Sequence, residues 1–150
     1  MTCIVQTFLR QRGEQVGAGF TLYEVIGGEK TIRRLVDEFY ARIETDSYLR
    51  PMFPEDMEPG KRWQYLFLVQ SFGGPNLFSQ ERGHPRLRAR HLPFPIDRKA
   101  RDHWLKHMLD AMDAVGIEEP ARTLMRDYFV RASEHMINIE TELGPGAQGT

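Results

Sequence analysis

Gly83-His84-Pro85-Arg86-Leu87-Arg88-Ala89-Arg90-His91-Leu92-Pro93-Phe94 sets a histidine directly after an arginine, between prolines and in apolar company. Neutral imidazole is a common protein ligand for metals, including haem iron. A histidine beside a proline-bounded loop is also commonly a surface or helix-end group. Read from these residues alone, both assignments of His91 stand, and the rest of the chain has to choose.

Working outward, the flanking segments carry helical periodicity. Downstream, Asp97 reads as an N-cap for a helix from Arg98 to Val115, ended by Gly116. Its apolar face is Trp104, Leu105, Met108, Leu109, Met112 and Val115. Glu118-Glu119-Pro120 opens a last helix expected to run to about Leu143, with Leu124, Tyr128, Phe129, Ala132, Met136 and Ile139 inward. Upstream, residues 76–90 read as a basic loop. Before it, Pro59 to Phe72 reads as a helix stopped by Gly73-Gly74-Pro75.

Asp46 to Asp56 reads as a turn region with Pro51 and Pro54. Glu29 to Thr45 is a helix whose stripe is Ile32, Leu35, Val36, Phe39, Tyr40 and Ile43. Thr21 caps a short helix from Leu22 to Ile26 that Gly27-Gly28 is expected to stop. No strand pattern or repeat stands out, and the fold class is all-α. Residues 1–20 are expected to be a partly flexible extension, 21–143 one domain and 144–150 a tail.

Composition narrows the partners. The 150 residues carry a formal net charge of −1, which offers no electrostatic reason to bind nucleic acid or an acidic membrane. Cys3 is the one cysteine, so an internal disulfide is excluded. No Cys-x-x-Cys-His occurs, so a haem here is not held by thioether links. No run approaches the roughly 20 apolar residues of a membrane span. Met1 to Leu9 lacks the pattern of a secretory signal, and a cytoplasmic location is expected.

From Thr21 to Ile139, about four fifths of the chain, the sequence resembles the truncated haemoglobins, and within them the second group. The resemblance rests on Gly27-Gly28, Phe39-Tyr40, Phe53-Pro54, Gln70-Ser71-Phe72-Gly73-Gly74-Pro75, the Gly83–Phe94 run and Trp104, in that order. It implies a two-over-two helical sandwich around non-covalent haem b. His91 then becomes the proximal iron ligand and Arg90 the partner of a haem propionate, with Arg86 and Arg88 as weaker candidates. His84 is expected to fix the loop by a hydrogen bond. A ligating imidazole needs its other nitrogen hydrogen-bonded, and a backbone carbonyl of this loop is the expected acceptor.

The same resemblance organises the opposite face. Tyr40 lies on the buried stripe of its helix, where a phenol needs a partner; the family pattern makes it a donor to bound ligand. Gly60 and Gln64 are one turn apart and share a face. A mid-helix glutamine is commonly solvated, whereas the family pattern sets both residues over the haem, with Gly60 at the gate. Trp104 is a core tryptophan by its position, and by resemblance its indole N–H also points at the ligand. Phe53 matches a loop aromatic that wedges against the haem. Leu66, Phe67, Leu87, Phe94 and Met108 are expected to pack on haem, or equally to be plain core.

The implied function is reversible, high-affinity binding of dioxygen and other diatomic ligands. Tight binding suits redox chemistry of oxygen, nitric oxide or peroxide better than bulk delivery, with Tyr40, Trp104 and Gln64 as the reactive-face residues. Carbon monoxide is a further expected ligand. With no flavin or nicotinamide fingerprint in the chain, turnover requires an external reductase, and the residues do not decide whether the protein is an enzyme. The alternative is a gas-binding or sensing module that acts through a partner protein. Monomer and homodimer are both compatible with its helix faces.

Overall fold

The computed structural model describes residues 20–139, and the described chain is helical without strands. Apart from Phe20, the expected extension over 1–20 and the tail over 144–150 lie outside the described residues. Among the described residues seven α-helices follow in order: α1 Leu22–Val25, α2 Gly28–Glu44, α3 Glu58–Ser71, α4 Leu77–Arg82, α5 Leu87–His91, α6 Arg98–Val115 and α7 Ala121–Met136. A single 3-10 turn, Arg50–Met52, interrupts the loop between α2 and α3. No helix among them is long and apolar enough to cross a membrane.

Two helix pairs make the sandwich. α2 packs on α3, α6 packs on α7, and the broadest contact is α2 against α6. The stripe read from the sequence is the face that does this: Ile32, Leu35, Val36, Phe39, Tyr40 and Ile43 are all buried. They meet Met108, Ala111 and Met112 of α6 and Leu66, Leu68 and Val69 of α3 in one core. Each fully buried aliphatic side chain contributes on the order of 1.5–3 kcal/mol by leaving water.

Local signals set most of the boundaries. Thr21 and Glu24 form a reciprocal capping box at α1, with Thr21 Oγ1 accepting from Glu24 N at 3.2 Å. Asp97 caps α6 by accepting from Ala100 N at 2.7 Å, and Gly116, at φ 85°, closes that helix in the left-handed region. Gly27 does more than stop a helix. At φ 105° it is the N-cap of α2, and Gly28 already belongs to that helix, so the pair is a hinge between α1 and α2.

Two expectations are corrected. The segment 76–90 is not a loop: it holds α4 and α5, six and five residues long. Helices that short carry too few turns to show a periodicity, and they stand on tertiary anchors. Phe78 is buried, and Gln70 braces α4 by donating to Ser79 Oγ and accepting from Ser79 N. The last helix ends at Met136 rather than near Leu143. Ile137 turns extended, Asn138 leaves the helix to bond the α5–α6 loop, and Ile139 is exposed rather than inward.

Asp97 joins the α6 cap to the α2–α3 loop, since Tyr48 Oη donates to its other oxygen at 2.7 Å. The Tyr48 hydroxyl first, and then the Ala100 amide, hold its carboxyl below the usual carboxylate range. A lowered folded pKa gives stability that is complete above the unfolded value of about 3.9 and lost as pH falls through the folded one. Asp97→Ala should therefore cost about 1 kcal/mol at neutral pH, and less at pH 3. Urea unfolding at the two pH values measures both.

Candidate functional site

Between the two helix pairs lies a cavity of about 490 Å³, well within the size range of small-molecule and cofactor sites. Its wall is mainly apolar and aromatic, and its polar groups come from different elements. α2 brings Tyr40, α3 brings Gly60 and Gln64, α5 brings Arg90 and His91, and α6 brings Arg101 and Trp104. Most of the residues named from the sequence meet here: Tyr40, Phe53, Gln64, Phe67, Leu87, Arg90, His91, Phe94 and Trp104 all line it. Leu66 and Met108 do not. Both are buried in the helix–helix core behind the wall, on faces of α3 and α6 that periodicity alone cannot separate from the cavity side.

His91 is the last residue of α5, and its Nδ1 lies 2.5 Å from the carbonyl of Leu87. A carbonyl only accepts, so Nδ1 carries the proton and Nε2 keeps its lone pair. The ring is half-buried. The imidazole is thus held in the tautomer that a metal ligand needs.

The loop holding it is tied from both sides. Arg86 enters α5 at φ 45°, and its N–H donates to His84 Nδ1 at 3.1 Å. Arg90 Nε donates to Pro85 O at 2.7 Å. From just past the end of α7, Asn138 Nδ2 donates to the carbonyls of His91 at 3.2 Å and Phe94 at 2.9 Å, while its Oδ1 accepts from Ile96 N at 2.9 Å. Arg88 reaches the carbonyls of His135 and Ile137 in the same junction. Asn138 is the bracket that sequence reading missed, because it stood inside an expected helix.

Across the cavity the polar groups are short of partners. Tyr40 is buried, and its hydroxyl makes no hydrogen bond to another described residue. Burial alone pushes its phenol up to about 12. Phe39 and Phe53 hold the ring edge-on, at 5.5 and 5.9 Å between centroids. Gly60 leaves room for it: a Cβ there would sit 2.9 Å from Tyr40 Oη. The buried Oε1 of Gln64 accepts no hydrogen bond from the described residues. Trp104 packs between Phe39 and Phe129, and its indole N–H likewise donates to no described residue.

At the rim stand two guanidiniums. Arg82 lies 4.3 Å over the Trp63 ring, and Arg90 lies 5.6 Å over Phe78. Desolvation, and then the Arg90 charge, lower the Arg82 pKa. Neither makes an ion pair among the described residues. Arg101, also at the wall, is instead engaged by Ser133, Val130 and Glu134. Arg82 and Arg101 were both missed from sequence, the first because its segment read as loop and the second because it precedes the apolar face of α6.

These features fit a flat apolar group that carries a metal ion and anionic side arms. The imidazole has a free lone pair for the metal. The apolar wall takes the ring, and the unpaired guanidiniums match carboxylates. Gln64 Oε1, orphaned among the described residues, marks a place where a further group is expected.

Comparison with known proteins agrees with the geometry. A family model described as bacterial-like globin matches residues 21–138. The chain is similar to group 2 truncated hemoglobin YjbI of Bacillus subtilis, at 47% identity over 116 residues, which is 77% of this chain and 87% of that protein. It is also similar to the crystal structure of hemoglobin from the thermophilic phototroph Chloroflexus aurantiacus. That match has 57% identity and a TM-score of 0.79, and covers 80% of this chain and 99% of the other. An X-ray structure of a truncated oxygen-avid haemoglobin from Bacillus subtilis matches with 45% identity and a TM-score of 0.77, covering 79% of this chain and 100% of that one.

The raised phenol gives a pH signature. An unfolded tyrosine ionises near 10, while Tyr40 resists ionisation until about 12. Its contribution to stability is therefore complete below pH 10 and is lost as pH rises from about 10 to 12. Denaturant titrations at pH 9 and 11.5 should show a steeper loss for the wild type than for Tyr40→Phe.

Proposed function

The chain belongs to the bacterial-like globin family, and within it to the second group of truncated haemoglobins; on that premise we propose that it holds haem b through His91 and binds dioxygen tightly for redox chemistry. The single observation that carries this reading is the triad of under-partnered polar groups, Tyr40, Gln64 and Trp104, in an otherwise apolar cavity. Haem held by His91 would supply an iron able to bind diatomic ligands reversibly.

The chain's residues do the rest. His91 offers Nε2, because the Leu87 carbonyl occupies Nδ1–H. Arg90, with Arg82 beside it at the cavity wall, would hold the propionates. Phe53, Phe67, Leu87 and Phe94 give the macrocycle an apolar bed. Leu66 and Met108 support that wall from the core rather than touching the group.

On the reactive face Tyr40 donates, Trp104 donates and Gln64 can do either. A diatomic ligand that gains negative charge on binding accepts from them, and a hydrogen bond to a charged acceptor contributes roughly 1.5–3 kcal/mol. Two such bonds slow ligand escape by a factor on the order of 100 or more. That retention suits oxidation of nitric oxide or turnover of peroxide, with electrons from an external reductase. The name oxygen-avid, carried by a similar protein, supports the same reading.

Two measurements test it. Tyr40→Phe should raise the dioxygen dissociation rate roughly 10- to 100-fold, in stopped-flow displacement by carbon monoxide; an unchanged rate removes Tyr40 from ligand retention. Asn138→Ala should free the His91 and Phe94 carbonyls and speed haem transfer to an acceptor protein several-fold, with the dioxygen off-rate nearly unchanged.

A further inference from the structure

Away from the cavity, the start of the α2–α3 loop meets the outer face of α6. His103 and His107 are one helical turn apart, so both imidazoles project from the same side of α6. Asp46, just past the end of α2, faces them. Its Oδ2 lies 2.8 Å from His103 Nδ1 and 2.6 Å from His107 Nε2. One donor atom from each of the three residues lies within 4.8 Å of the other two. None of the three lines the cavity.

The carboxylate is fixed as a ligand would be. Its Oδ1 accepts from the backbone N–H groups of Tyr48 at 2.8 Å and Leu49 at 3.1 Å. These bonds aim Oδ2 at the imidazoles and occupy the oxygen that would not ligate, which is the role outer-shell hydrogen bonds play in metal sites. The Asp46 side chain is 8% exposed, that of His107 17% and that of His103 34%, so the group is sheltered on one side and open on the other. His103 is further held by the Tyr48 ring, at 5.2 Å between centroids.

We propose that Asp46, His103 and His107 form a binding site for a divalent transition-metal ion of zinc-like chemistry, with three protein ligands and one position left to water. Two imidazoles and one carboxylate are ligands that zinc takes, and three protein ligands with an open fourth position is a known coordination pattern. Ligand atoms about 2.0–2.1 Å from a tetrahedral ion stand roughly 3.3 Å apart. Entry of the ion therefore widens the two Oδ2–N separations by about half an ångström to three quarters. Each imidazole shifts its proton to the other ring nitrogen and offers the freed lone pair, so no net proton need leave. The bound ion pins the end of α2 to α6, the helices that carry Tyr40 and Trp104.

The inference does not depend on the haem assignment. The test is calorimetric titration of zinc chloride into the haem-loaded protein, with the Soret band followed in parallel to show that the cavity is unaltered. The expected result is saturable binding at one ion per chain. Affinity should fall at least tenfold in His107→Ala and in Asp46→Asn, and stay within twofold in His135→Ala. Absence of saturable binding to the wild type overturns the site without reference to any variant. Binding that survives in both cluster variants, or that disappears in His135→Ala, overturns it as well.

Discussion

One hydrogen bond decides what this fold can hold: His91 Nδ1–H to the carbonyl of Leu87, at 2.5 Å within a single turn of α5. It fixes the tautomer and leaves Nε2 basic. The surroundings of α5 can be understood as what keeps that ring in place. Arg86 accepts a left-handed backbone, Arg90 grips Pro85, and Asn138 and Arg88 bind the helix and the loop after it to the end of α7. A five-residue helix has almost no stability of its own, so its position is a property of those contacts.

The opposite wall follows a different logic. There, polar atoms are placed in apolar surroundings and left without partners among the described residues. Burial keeps the Tyr40 phenol protonated, so it remains a donor at any physiological pH. Gly60 is the condition for this, because a side chain there would displace the phenol. Unsatisfied buried groups are destabilising in isolation, and their grouping in one cavity is the cost of having donors already oriented before a ligand arrives.

The long amphipathic helices were legible in the sequence because each buries one face over several turns. The stripe of α2 and the capped span of α6 needed only periodicity, an Asp97 cap and a Gly116 stop. α4 and α5 were not legible, since neither completes two turns and both depend on contacts such as Gln70 with Ser79. The end of α7 was misread because Asn138 gives up helical bonding for bonds to residues far away in sequence. Within the site, His91, Tyr40 and Trp104 were marked by neighbouring motifs. Leu66 and Met108 show the limit: periodicity assigns a residue to the inward side of a helix but not to cavity or core. The Asp46–His103–His107 group was invisible for a similar reason, as its carboxylate comes from a distant loop.

The most direct test of the central assignment is the absorption spectrum of the purified protein, titrated with hemin and then reduced under carbon monoxide. The account predicts a Soret band that saturates at one haem per chain, shifts to a sharp carbonyl form, and is lost or strongly altered in His91→Ala. A protein that gains no Soret band with hemin, or whose spectrum is identical in His91→Ala, would contradict it.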